Sequence, residues 1–200
     1  MNMANGLPKT YLQEHAEMAA ETFDGFEILS YVSAGDMECW TVGKPGGFVN
    51  RHFTIVTWPG NILTTGDNGE CWWQRERGMI GWCRGAIRSM SYFAEKVVPG
   101  FTVREFDAEQ AEEWIKEQQP DDDTRGTADI AFDETRSELL AALQDGEAAF
   151  VSAFAESDWH ESGDWPGRSW ERYTQQFLWA RAAVAKFIEL LDAKGAGRDA

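Results

Sequence analysis

The chain has 200 residues, 43% of them hydrophobic and 26% charged, a composition that supports a packed core over most of its length and excludes wholesale disorder. Its formal net charge of -16 repels nucleic acid backbones and anionic lipid and attracts cationic surfaces, so direct binding of nucleic acid or membrane by the whole surface is not expected. Residues Met1 to Met18 are polar with no apolar run behind a basic patch, and no stretch of about 18 apolar residues could span a bilayer; with Cys39, Cys71 and Cys83 forming no close pair, a cytoplasm with reduced thiols is expected.

In chain order, Pro8 is followed by Leu12, Ala16, Ala19 and Phe23, a helical spacing that Asp24-Gly25 stops. From Phe26 to Arg75, short runs rich in Ile, Val, Thr, Phe and Trp are separated by Gly35-Asp36, Lys44 to Gly47, Trp58 to Asn61 and Asp67 to Gly69. Gly and Asn tolerate positive φ and Pro presets the first turn position, so these separators predict a meander of about five antiparallel strands. Helical spacing returns in Met79, Ile80, Cys83 and Ile87 and again from Ser91 to Val98. Asp107 with Gln110 predicts a capped helix start, with Trp114 and Ile115 on the buried side.

Residues 120–129, with several like charges and no apolar periodicity, are expected to be an acidic loop or linker. It separates an α+β region, residues 1–119, from a helical region, residues 130–200, packed on it, the two expected to form one compact unit. In the latter, Asp133 is expected to cap a helix reaching Gln144, a second covers about residues 147–156 and Ser169 caps a long third. The third carries Trp170, Tyr173, Phe177, Val184, Phe187, Ile188 and Leu191 on one face, long enough to leave a homodimer open. The fold class is therefore α+β: one helix, an antiparallel sheet, then a largely helical C-terminal half.

Charge is uneven. Residues 1–50 carry 2 basic and 7 acidic groups, residues 51–104 carry 7 and 4, and residues 105–200 carry 9 and 23. In the basic middle, Arg51, His52, Arg75, Arg77 and Arg84 alternate with Trp58 and Trp73. Guanidinium groups among aromatic faces suit a flat anionic ligand such as a signalling nucleotide, with Asp67 in the adjoining turn; the same residues also serve as core aromatics with arginines paired to the acidic half. Gly60, Gly66 and Gly69 fit hairpin turns or an anion cradle. The acidic run Glu105, Glu109, Glu112, Glu113, Glu117, Asp121, Asp122 and Asp123 fits either a solvated face or a surface that occupies a basic groove on another protein.

No Walker loop, dinucleotide fingerprint, His-Glu-x-x-His helix or Gly-x-Ser-x-Gly elbow is present, and neither a metal nor a cofactor is expected. Asp67 and Glu70 across their turn, or His52, remain the candidates should the protein be an enzyme.

Val56-Thr-Trp-Pro-Gly60, Thr65-Gly-Asp67 with Gly69, then Arg75, Tyr92, Ala94-Glu-Lys96 and Arg104-Glu-Phe106 resemble a signature of uncharacterised accessory proteins of tailed phages and prophages. The Tyr173-Thr174 and Phe177-Leu178-Trp179 stretch is similar to the end of the same group, so the resemblance runs from about residue 50 onward. Where that group has Asp-Met-x-x-Phe-Phe after the sheet, this chain has Gly78-Met79-Ile80-Gly81-Trp82, and a site built on that aspartate does not carry over. The resemblance implies an accessory phage protein acting in a bacterial host cytoplasm. Joined to the acidic surface, it leads to the expectation of a non-enzymatic inhibitor of a host antiviral defence factor with a basic surface. A binding protein for a small anionic ligand, an enzyme of unassigned chemistry and a virion component are the alternatives.

Overall fold

The structure is a computed structural model that describes residues 10–46, 52–67, 69–75, 78–118, 127–157, 159 and 170–196, without the side chains of 127–129, 195 and 196. It divides into two compact units, Met1–Val103 with Tyr173–Ala200, and Arg104–Arg172. The second is thus inserted before the last helix of the first. The composition placed the boundary at 120–129, mostly outside the described residues; contacts divide the chain elsewhere, because the final helix returns to a sheet about a hundred residues upstream and no local composition records that return.

In the sheet unit, helix α1 (Tyr11–Thr22) starts in a reciprocal capping box between Thr10 and Gln13, which satisfies two otherwise unpaired N–H groups of the first turn. Then come β1 (Glu27–Ala34), β2 (Met37–Gly43), β3 (His52–Trp58), β4 (Asn61–Gly66) and β5 (Cys71–Gln74), an antiparallel sheet in sequential order. This is the meander that the turn formers predict. Strand β3 alternates buried and half-buried positions, the period-2 pattern of a sheet with one face in the core. Edge strand β1 is exposed at every position but Ile28.

Two helices, α2 (Met79–Ala86) and α3 (Met90–Ala94), follow the sheet, and α7 (Gln175–Ala196) packs against α1, α2 and strands β1, β3, β4 and β5. The core joins Trp40, Ile55, Ile62 and Trp73 from the sheet to Phe93 and to Phe177, Val184 and Phe187 of α7. Cys71 and Cys83 are buried, Cys39 is half-buried, and all three are free thiols. Burial pushes the Cys71 and Cys83 thiols up to about 12, since a thiolate there would lose its hydration.

The inserted unit holds β6 (Arg104–Phe106), α4 (Ala108–Glu117), α5 (Thr127–Gln144), α6 (Glu147–Glu156) and all but the last residue of β7 (Glu171–Tyr173), with β6 paired to β7. Asp107 caps α4 by accepting from Gln110 N at 3.1 Å, as its spacing predicts. Ala111, Ile115, Leu139, Phe150, Phe154 and Trp170 make this unit's own core.

Two helix starts differ from expectation. Asp133 lies inside α5, which begins at Thr127; Phe132 packs on Trp159 at 4.8 Å and gives the extra turn an apolar anchor. The last helix begins at Gln175, capped by Thr174, whose hydroxyl oxygen accepts from Phe177 N at 3.2 Å. Tyr173 belongs to β7 and Trp170 precedes it in the other unit's core; helical spacing continued upstream of the helix by coincidence. Ser169 lies outside the described residues.

Candidate functional site

The covered face of the sheet has a notch at one corner. Antiparallel register sets Trp40, Ile55, Thr64 and Cys71 in one row across β2 to β5, and Val42, Phe53 and Gly66 in the next. Residues directly opposite share a face, so the second row ends in a residue without a side chain. A Cβ on Gly66 would lie 2.8 Å from His52 O and 3.1 Å from Phe53 Cα, which only glycine avoids. Across from it α7 contributes Ala180 and Ala183, again small. Between them a cavity of about 420 Å³ remains, a size suited to a small ligand.

Its deep wall is aromatic. Phe23 meets Phe53 and Trp179 edge-on, with ring centroids 5.4 and 5.2 Å apart, and Phe26 stacks on Phe53 at 6.2 Å. Trp179 Nε1 is buried with no acceptor among the described residues. Thr64, only 2% exposed, lines the cavity.

The rim is acidic. Glu21, in the last turn of α1, and Asp67, in the β4–β5 turn, are exposed and in no ion pair among the described residues. No basic residue stands in the last turn of α1, so the partial negative charge of its terminal carbonyls adds to the two carboxylates. Half-buried His52 also lines the cavity.

His52 and Asp67 are the two members of the sequence-derived ligand set that this cavity brings together. Trp58 lines a separate depression beside the β3–β4 turn, its ring 5.6 Å from Trp72. Trp73 is 0% exposed and donates its indole N–H to Phe93 O at 3.1 Å: strand alternation turns it into the core while neighbouring Trp72 faces the other way, so it cannot stack on a ligand. Arg75 and Lys96 both lie on the Tyr92 ring, 6.0 and 5.1 Å from its centroid. Arg84 forks onto Asp192 of α7 with 2.7 and 3.0 Å bonds. Arg51 and Arg77 lie outside the described residues. Arg75 and Arg84 thus occupy separate places, away from the cavity that holds His52 and Asp67.

Sequence reasoning missed Glu21, Thr64 and Trp179. A threonine within a strand pattern gives no local sign of burial, and the small pair Ala180 and Ala183 in an otherwise bulky apolar helix face was the available signal.

Among the acidic set, Glu105 accepts from Arg172 Nε at 2.9 Å and Glu112 pairs with Lys116. Glu109, Glu113 and Glu117 are exposed at four-residue intervals on α4, in no ion pair among the described residues. Asp121, Asp122 and Asp123 lie outside the described residues. Among the described residues, no three or more His, Cys, Asp or Glu side chains are grouped to hold a metal ion, and no helix is long and apolar enough to cross a membrane. Compared with protein-family models, curated proteins and solved structures, the chain matches none.

Proposed function

We propose that this chain is a non-enzymatic accessory protein of tailed-phage type that binds and blocks a basic surface on a host defence factor in the bacterial cytoplasm, with α4 as the contact. The observation that supports this reading is the segregation of charge by structural unit. Residues 104–172 hold 6 basic and 20 acidic side chains, a net -14, whereas the other 131 residues hold 12 and 14, a net -2. Within the inserted unit, Ala111 and Ile115 anchor one side of α4 in its core and leave Glu109, Glu113 and Glu117 presented to solvent. An unneutralised row of this kind steers a cationic partner and weakens as salt rises.

The test is affinity capture from bacterial lysate at low salt, followed by binding kinetics on the purified partner. A partner should be retained whose association slows steeply with ionic strength and whose binding is lost in the Glu109→Lys/Glu113→Lys/Glu117→Lys variant. A partner bound equally well by that variant, or no partner at low salt, refutes the reading.

A second reading, retention of a small anionic ligand such as a nucleotide, has the convergence of Arg75 and Lys96 on Tyr92 in its favour. Thermal stabilisation by nucleotide that disappears in Arg75→Ala is its signature; the absence of any such shift removes it.

A further inference from the structure

We infer that the cavity between α1, the β3–β4 end of the sheet and α7 is a binding site for a small organic amine, protonated at neutral pH and carrying an apolar or aromatic body. Several independent features point the same way. The cavity is lined by small residues, Gly66 on the sheet and Ala180 and Ala183 on the helix. Phe23, Phe26, Phe53 and Trp179 offer aromatic surface to a ligand body, and ring faces attract a cation through their quadrupoles.

The polar groups around that surface select the sign of the ligand. Glu21 and Asp67 at the rim are in no ion pair among the described residues, and the C-terminus of α1, with no basic residue in its last turn, adds to their field. Thr64 places a hydroxyl in the wall, able to accept one ammonium hydrogen while the carboxylates accept others. None of the described lining residues is a lysine or arginine. A carboxylate or phosphate ligand would meet like charge here. An amine meets acceptors, negative potential and ring faces together.

The lining residues of the site all belong to the sheet unit and α4 belongs to the inserted unit, so the two readings stand or fall separately. The experiment is calorimetric titration and thermal shift of the full chain with tryptamine and with indole-3-acetate, which share a ring and differ in the sign of the side chain. Tryptamine should bind and raise the melting temperature by mass action, with indole-3-acetate at least about tenfold weaker. The Glu21→Gln/Asp67→Asn variant, altered only at exposed positions, should keep its unliganded melting temperature and lose about tenfold in tryptamine affinity.

Ala183→Phe should fill the space and abolish binding; should that variant not fold, the double variant decides. The Glu109→Lys/Glu113→Lys/Glu117→Lys variant should bind tryptamine as the parent does. No tryptamine binding at low millimolar concentration, equal binding of the two probes, or an unchanged preference in the double variant overturns the inference.

Discussion

The two units solve the same folding problem with different surfaces. The sheet unit is nearly neutral, fixes its core through strand register and keeps a cavity where side chains are missing; the inserted unit packs three helices around an aromatic cluster and carries nearly all of the net charge. The comparison shows that net charge taken over the whole chain is a poor guide to any one site. The average conceals a unit that is close to balanced and one that repels itself. It also separates two kinds of recognition, a surface that acts at long range and a cavity that acts by contact.

The largest expected effect tests whether the sheet unit depends on single core positions. Trp73→Ala removes a side chain with no exposure and leaves Phe93 O without its indole donor, and should cost about 3–5 kcal/mol in urea denaturation. A loss below about 1 kcal/mol in that measurement would mean that the sheet core relaxes around the gap, against the close packing described.

Alkaline pH offers a second contrast, since both strongly shifted thiols lie in the sheet unit. Their folded values of about 12 exceed the ordinary 9.0, so the folded state holds protons that the unfolded state releases. Their stabilising contribution is complete below pH 9.0 and is lost as pH rises toward about 12, with a slope on the order of 1 kcal/mol per pH unit for each thiol. Replacing both by alanine should flatten that slope in denaturation curves taken across the alkaline range. In the native state at neutral pH, a thiol reagent should label Cys39 and spare the two buried thiols.

Smaller effects compare turn chemistry with helix capping. Gly60 holds φ +78° and a Cβ there would come 2.6 Å from Arg75 O, so Gly60→Ala should cost about 1–3 kcal/mol through strain at the β3–β4 turn. Asp107→Ala removes the cap of α4 and should cost about 1 kcal/mol, read as a shift of the urea midpoint. That cost should fall on the inserted unit and leave tryptamine binding in the sheet unit unchanged.

Much of this architecture is local and therefore legible in the sequence. The start and end of α1, the meander with its turn formers and the Asp107 cap depend on residues a few positions apart. The same holds for the acidic bias of residues 105–123 and for the free state of three scattered cysteines. Where local reading failed, it did so because a pattern ran past the end of its element, as with Trp170 and Tyr173 ahead of α7, or because an acidic opening hid the first turn of α5. The basic aromatic cluster was legible as composition but not as geometry.

What the sequence determined by itself is the set of elements and the sign of the charge that each stretch carries, because both follow from short-range periodicity and counting. Tertiary structure decided which neighbours in the string became neighbours in space. Register aligned Gly66 with Phe53 and Val42, alternation sent Trp73 inward, and α7, which follows the inserted unit in the chain, set two alanines opposite the notch. A cavity is a place where side chains from distant elements fail to meet, and that depends on how those elements pack.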